Sequence, residues 1–194
     1  IAHTDATYEE VEKANKAGYT HITHLYSAMS SVTRRNAFRY AGVVEAVYLI
    51  DDITVEIIAD GIHLPKPLLQ FVYKFKGPDK TALCTDAMRG TGMPDGESIL
   101  GSLTIEDGVA KMPDRSAFAG SVATTDRLVR TMVQLANVPL TDAVRMMTLT
   151  PARILRIDSS KGSLEVGKDA DIVIFDNQIH IINTISEGHV IYSK

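Results

Sequence analysis

Short apolar stretches rich in β-branched residues alternate with longer amphipathic stretches along the first half of the chain. The stretches 19–25, 54–59 and 81–84 combine Val, Ile and Thr in the way that is typical of strands. Between them, 41–49 and 68–75 have apolar residues at helical spacing. Strands that alternate with helices pair in parallel, so the pattern predicts an α/β fold with a parallel sheet.

The first residues fit the same scheme. Thr7 is followed three positions later by Glu10, which is typical of a capping box, and Gly18 suits the end of the helix that this box opens. Ile1 to His3 resembles the end of a strand with nothing before it, and no initiator Met precedes it. We therefore expect this chain to be a processed or truncated piece of a longer protein.

The pattern changes after the stretch 81–84. Residues 90–95 are expected to form a loop, and 103–110 a hairpin that turns at Asp107-Gly108. Two helices are predicted, at about 122–136 and 141–149, before a β-like tail at 164–192 that turns at Gly167 and at Glu187-Gly188. We expect two units: a partial barrel domain at 1–155 and a C-terminal β segment at 156–194.

Composition narrows the class of protein. The chain has 194 residues, of which 45% are hydrophobic, as in ordinary globular domains. Its net charge of −4 argues against a nucleic-acid partner, and no apolar run approaches the roughly 20 residues that cross a bilayer. The single cysteine, Cys84, excludes an internal disulfide and suits a reducing compartment, so the expected location is cytoplasmic.

Candidate catalytic chemistry lies where the predicted strands end. A parallel α/β barrel places the ends of all its strands on one rim, so His3, His24 and Asp86 are expected to converge there. Imidazole binds zinc or iron, and a carboxylate beside such an ion can act as general base. Single histidines are more often merely hydrogen-bonded, and Asp86 alone could equally be a turn residue. His21 is interpreted as structural, because a strand points residues three apart to opposite faces.

Two other residue types have an ordinary and a functional interpretation. Cys84 is expected to be a packed core thiol. Arg34 and Arg35, in a predicted polar loop after His24, have the guanidinium fork that suits a phosphate, and loop amides near Ser27-Ala28 could hold the same anion. Solvated surface arginines are the plain alternative.

Together, these segments resemble the N-acetylglucosamine-6-phosphate deacetylase family of the amidohydrolase superfamily. The resemblance covers essentially the whole chain. The matching segments are 3–7, 23–29, 59–63 and 85–88, and 119–121 matches a further site loop. The segments that contain His24, His63 and Asp86 together point to the deacetylases. Segments 148–152 and 162–171 match closing motifs found across the superfamily. Where this chain has Ser27, the family has Asn, which leaves the backbone amides but not that side chain for phosphate binding.

The resemblance implies a fold: the C-terminal half of a (β/α)8 TIM barrel, strands five to eight, followed by the C-terminal β segment of a small β-sandwich domain. It also implies a reaction, in which a metal-bound hydroxide hydrolyses the N-acetyl group of N-acetylglucosamine 6-phosphate and Asp86 is the acid/base. His3 and His24 would be ligands of a divalent metal, zinc or iron. The implied residues for binding the sugar phosphate are Ser27, Ala28, Arg35, Asp60, Gly61, Ile62, His63, Phe118, Ala119 and Gly120.

Several alternatives stay open at this point. The family's remaining metal ligand, a glutamate, lies on an earlier strand that this chain does not contain, so the isolated piece is expected to be inactive. A different amidohydrolase of the cyclic-amidase type, or a non-catalytic half-barrel, would carry some of the same motifs. The expected partners are a small amino-sugar phosphate and further copies of the same chain, since relatives are commonly oligomeric.

Overall fold

The computed structural model describes residues 1–93, 96–97 and 104–194. The first part of the chain forms α1 (Tyr8–Lys16), β1 (His21–Ile22), β2 (Thr33–Arg35), β3 (Phe38–Tyr40), α2 (Val43–Leu49), β4 (Thr54–Ile58), α3 (Lys66–Lys76) and β5 (Thr81–Cys84). The second part forms β6 (Gly96–Glu97), β7 (Thr104–Glu106), β8 (Val109–Lys111), β9 (Phe118–Ser121), α4 (Thr125–Gln134), α5 (Leu140–Met147), α6 (Leu149–Ile154), β10 (Ile172–Phe175), β11 (Ile181–Ser186) and β12 (His189–Ser193).

A parallel sheet in the order β1-β4-β5 lies at the centre of the first half. Its register pairs Ile22 with Val55 and Ile57 with Leu83. Ile1 continues the ladder beside β1, because its amine donates to the His21 carbonyl at 2.7 Å and its carbonyl accepts from the amide of Thr23 at 3.1 Å. The parallel α/β arrangement predicted from the sequence is therefore confirmed.

The core lies between one face of this sheet and the helices. Ile22, Val55 and Ile57 are fully buried on the sheet, and each helix adds its apolar stripe: Val47 on α2, Leu69 on α3, Leu128 and Met132 on α4, and Met146 on α5. Each such side chain contributes about 1.5–3 kcal/mol when it leaves water. This layer makes the sheet a rigid base for the loops at its edge.

Two predictions for the region after α1 were wrong in detail. The strand expected over 19–25 ends at Ile22, because the backbone turns into the left-handed region at His24 and Tyr26, with φ of 28° and 79°. The polar loop expected around Arg34 is the hairpin β2–β3. Its two turn residues, Asn36 and Ala37, have φ of 48° and 70°, and the signal was missed because Ala replaces the usual Gly there.

An antiparallel sheet, β6-β7-β8-β9, follows β5. The predicted turn at Asp107-Gly108 is confirmed, with both residues left-handed, while Leu103 of the predicted hairpin and residues 94–95 of the predicted loop lie outside the described residues. Strand β9 was not predicted. It is joined to the end of β5 through a bridge between Ala87 and Ser121.

The tail forms a second antiparallel sheet, β10-β11-β12, and the predicted turn at Glu187-Gly188 is present. The turn that joins β10 to β11 docks on α4, where Arg130 donates to the carbonyls of Gln178 and Ile179 at 3.2 and 2.8 Å. The Ile179 side chain is buried in the core. Within the described residues, no helix is long and apolar enough to cross a membrane.

Candidate active site

Three polar side chains follow the three central strands by the same offset. His24 comes two residues after β1, Asp60 two residues after β4, and Asp86 two residues after β5. Because the strands are parallel, all three residues lie at the same edge of the sheet. His3 joins them from the N-terminal segment, which runs beside β1. The direction of the strands therefore puts His24, Asp60 and Asp86 at one edge of the sheet, as a shared rim requires.

The backbone is strained at three of these positions. His3, His24 and Asp86 have φ of 44°, 28° and 47°, in the left-handed region that residues other than glycine avoid. Such a conformation costs roughly 1–2 kcal/mol per residue. Strain of this kind is characteristic of functional sites, where surrounding structure holds a side chain in a required direction.

The two histidines are in direct contact. Their rings stand edge to face, with centroids 4.6 Å apart and an interplanar angle of 88°. The Nδ1 atom of His24 is buried and makes no hydrogen bond within the described structure. Because buried imidazole nitrogens are almost always paired, this orphaned atom fits a divalent metal ligand of the zinc or iron type. A group of three or more His, Cys, Asp or Glu side chains placed around one ion is not found in the described parts of the chain.

Glu56, in the middle of β4, is close to His21 and His24, and sequence reasoning missed it. Its backbone carbonyl accepts from the Leu25 amide at 2.9 Å, and its carboxylate is 3.6 Å from His21 Nε2. The nearby His21 imidazole, together with the His24 amide, holds the pKa of Glu56 below its usual value despite burial. A lone carboxylate within the apolar stretch 54–59 was the available signal.

Two neighbouring residues behave as their sequence interpretation expected. His21 Nδ1 is bonded to Thr54 Oγ1 at 2.9 Å, which is a structural role. Cys84 is a half-buried thiol whose pKa is raised, first by burial and then by the carboxylates of Glu56 and Asp86. Cys84 is therefore protonated at neutral pH and unsuited to nucleophilic attack.

Asp60 and His63 form a buried pair in the turn after β4. The Asp60 Oδ2 atom accepts from His63 Nδ1 at 2.7 Å, and Oδ1 accepts from the amides of Ile62 and His63, both at 2.8 Å. Burial raises the pKa of Asp60, but these hydrogen bonds outweigh it and hold that pKa below its usual value. Since Asp60 is ionised, it accepts the hydrogen of His63 Nδ1, and the Nε2 atom of His63 takes no part in this pair.

The segment 118–120 closes the gap between Asp86 and His63. The ring of Phe118 lies 4.8 Å from the ring of His63. A Cβ atom at Gly120 would lie 3.1 Å from the carbonyl oxygen of Asp86 and 3.9 Å from its carboxylate, so the backbone passes close to that acid. The Ser121 amide donates to the Asp86 carbonyl at 2.9 Å and fixes this approach. The structure thus brings Asp86, Phe118, Gly120 and His63 together.

The remaining predicted residues occupy two places. Ser27 and Ala28 lie in the turn after His24, where the Ser27 amide donates to the His24 carbonyl at 2.9 Å. Arg35 lies on the exposed hairpin β2–β3, with its guanidinium 5.4 Å from the centre of the Tyr40 ring. The turn at 27–28 therefore adjoins the histidine pair, whereas the Arg35 side chain packs on its own hairpin.

Comparison with known proteins places this geometry in context. The sequence pattern of the amidohydrolase family matches residues 1–191. An N-acetylglucosamine-6-phosphate deacetylase of Lysinibacillus sphaericus is 38% identical over 192 residues, which are 98% of this chain and 48% of that protein. An N-acetylgalactosamine-6-phosphate deacetylase of Escherichia coli O157:H7 is 33% identical, with 98% of this chain and 49% of that protein aligned.

A solved structure extends the likeness to the fold. A mutant N-acetyl-D-glucosamine-6-phosphate deacetylase of Mycobacterium smegmatis, in complex with N-acetyl-D-glucosamine-6-phosphate, superposes with a TM-score of 0.88 at 33% identity. The superposition covers 98% of this chain and 50% of that one. This chain thus spans about half the length of the relatives it matches.

Proposed function

Because the chain belongs to the amidohydrolase family, we propose that it is part of an N-acetylglucosamine-6-phosphate deacetylase. The observation that carries the proposal is the buried, unpaired Nδ1 of His24 beside the ring of His3, at the sheet edge that also bears Asp86. The three similar deacetylases, which are named for acetylated amino-sugar phosphates, support the same reaction class.

The proposed architecture is a half barrel. The parallel order β1-β4-β5, with Ile1 bonded beside β1, supports strands five to eight of a (β/α)8 barrel, in which Ile1 belongs to strand five. The sheet β10-β11-β12 supports a segment of a β-sandwich, with the boundary between the two units at 155–156. Exposed Val190 and Ile191 on β12 are apolar surface of the kind that a second sheet would cover.

The proposed reaction is hydrolysis of the acetamido group, which gives glucosamine 6-phosphate and acetate. When bound, a zinc or iron ion would lower the pKa of water and polarise the acetyl carbonyl. His3 and His24 would hold that ion. Asp86 would take the proton from water as its oxygen adds to the carbonyl carbon, and would give that proton to the nitrogen as the C–N bond breaks.

The remaining predicted residues would bind the sugar phosphate. His63, oriented by Asp60, presents Nε2 to a hydroxyl or carbonyl of the substrate. Phe118 to Gly120 form a wall between His63 and Asp86. The amides of the turn at Ser27-Ala28, together with Arg35, suit the phosphate.

We also propose that the chain acts as a homo-oligomer. The hairpin β2–β3 is exposed along its whole length, and Phe38 is 71% exposed on it. A two-stranded hairpin is marginally stable in water, so a second copy packed against its apolar side chains would stabilise it. That contact would also fix Arg35.

The test is a complementation assay. The 194-residue chain is joined to the part of the Lysinibacillus sphaericus deacetylase outside the matched 48%, which gives a protein we call the complemented enzyme. We expect acetate release from N-acetylglucosamine 6-phosphate by the complemented enzyme and little or none by the chain alone. A folded, metal-loaded complemented enzyme that releases no acetate would refute the proposal.

The same assay separates the alternatives. Hydrolysis of a cyclic amide without a phosphate would identify a cyclic-amidase type of amidohydrolase. Binding of the sugar phosphate without turnover would identify a non-catalytic half-barrel. Full turnover by the isolated chain would instead refute the expectation that the piece is incomplete.

A further inference from the structure

Arg127 connects two parts of the molecule that are distant in sequence. From the first turn of α4, its Nη1 donates to the Gly108 carbonyl at 3.0 Å and its Nη2 donates to the Asp60 carbonyl at 3.2 Å. Gly108 is the tip of the β7–β8 hairpin, and Asp60 is the residue that holds His63. One guanidinium therefore joins the hairpin to the turn that carries a candidate substrate-binding histidine.

The contact at Gly108 requires a close approach. A Cβ atom at this position would lie 3.1 Å from Arg127 Nη1 and 3.4 Å from Nη2. Gly108 also has φ of 73°, as the turn demands. The hairpin tip is thus shaped so that its carbonyl reaches the guanidinium.

The contact at Asp60 is supported by the same face of α4. Thr131, one turn after Arg127, would lie 3.3 Å from a Cβ at Gly61, and Leu135 would lie 3.2 Å from it. Asp60 is 3% exposed, so its carbonyl needs a partner inside the protein. Helix α4 therefore supports the turn, and Arg127 supplies the hydrogen bond.

We propose that Arg127 is a positioning residue for His63. The guanidinium fixes the Asp60 backbone, and the Asp60 carboxylate in turn fixes the His63 ring by its Nδ1. A planar fork can hold two carbonyls at once, whereas a lysine ammonium is a single point donor. The positioning of His63 by Arg127 does not depend on the proposed deacetylase function. Only the benefit of this positioning for catalysis rests on that function.

The chain offers a matched control on the same helix. Arg130 also donates to two backbone carbonyls, those of Gln178 and Ile179. These carbonyls lie in the turn that joins β10 to β11 and not in the turn that carries Asp60. Arg127→Gln, Arg127→Lys and Arg130→Gln are compared with the unaltered 194-residue chain. The free energy of unfolding in urea, measured for each variant, shows whether a substitution destabilises the whole chain or acts only near the substituted residue.

The readout is the hydrogen exchange of the Ile62 and His63 amides, which donate to Asp60 Oδ1, and the NMR signal of His63 Nδ1–H. Arg127→Gln is expected to raise this exchange about tenfold and to shift or broaden the ring signal. Arg127→Lys is expected to give an exchange rate between those of Arg127→Gln and the unaltered chain. Arg130→Gln is expected to leave the exchange rates and the ring signal unchanged. Unchanged readouts in Arg127→Gln, or an equal change in Arg130→Gln, would overturn the proposal.

A kinetic measurement links the placement to function. In the complemented enzyme, Arg127→Gln is expected to lower kcat/KM by about 10-fold or more, as losses of supporting residues do, while Arg130→Gln is not. An unaltered complemented enzyme with no turnover would refute the deacetylase function alone, since the exchange result still decides the role of Arg127. Turnover unaffected by Arg127→Gln would refute the catalytic part of the inference.

Discussion

The ring of His24 stands edge-on to the ring of His3, and the buried His24 Nδ1 has no hydrogen-bond partner in the described structure. An unpaired buried nitrogen costs about 1–3 kcal/mol, which a metal bond would offset. The unpaired nitrogen therefore indicates a metal ligand, and the first prediction concerns this histidine pair.

Replacing His24 is expected to weaken metal binding strongly. His24→Gln removes a proposed ligand, and because changes in supporting residues alone cost 10- to 100-fold in metal affinity, the loss is expected to exceed about 100-fold. Metal content and titration calorimetry with zinc on the complemented enzyme would measure it. His189→Gln, on the exposed strand β12, is the control. Equal zinc affinity in His24→Gln and in the control would remove His24 from the ligand set.

Asp86→Asn tests the proposed acid/base. The amide cannot accept a proton, so kcat in the complemented enzyme is expected to fall by about 10²- to 10⁴-fold while KM changes little. Steady-state acetate release measures both constants. Asp107→Asn, at the exposed hairpin turn, makes the same chemical change at a distance and should leave both constants unaltered. A retained kcat in Asp86→Asn would exclude Asp86 as the base.

The Asp60 carboxyl is expected to make stability depend on acid pH. Its pKa is lower in the folded chain than the unfolded value of about 3.9, so its contribution is fully present above that value. The contribution is lost as pH falls below about 4 through the folded pKa. Urea unfolding at pH 7 and at acid pH should give a smaller decrease in unfolding free energy for Asp60→Asn than for the unaltered chain. An identical pH dependence in both would contradict the role of the bonds to Ile62 and His63.

The sequence predicts which residues lie at the edge of the sheet, because the end of a strand can be recognised from the residue types around it. His24 and Asp86 follow apolar, β-branched stretches, and parallel pairing then brings the ends of those stretches to one edge. The same reasoning overextended the first strand, since a left-handed φ at a histidine has no compositional signal. It also missed the turn at Asn36-Ala37, where alanine adopts a conformation usually associated with glycine.

Contacts between distant segments are what the sequence cannot indicate. Arg127 reaches Asp60 across 67 positions, and nothing in the helical pattern of 122–136 sets this arginine apart from Arg130. The Phe118–His63 contact depends on how β9 joins the end of β5. Pairing of this kind is fixed by the packed core and not by local propensity, so only the folded structure reveals it.

Arg35 tests whether the substrate carries a phosphate. Its guanidinium lies on the exposed hairpin β2–β3, 5.4 Å from the centre of the Tyr40 ring. Within the described residues it makes no salt bridge that an anion would have to break. Arg35→Ala in the complemented enzyme is expected to raise KM for N-acetylglucosamine 6-phosphate by about 10-fold or more, because charged hydrogen bonds to phosphate are strong. The KM for unphosphorylated N-acetylglucosamine should not change. Arg34→Ala, adjacent on the same strand with its side chain on the other face, is the control. An equal effect of Arg35→Ala on both substrates, or no effect on either, would exclude Arg35 from phosphate binding and favour an amidohydrolase that acts on unphosphorylated amides.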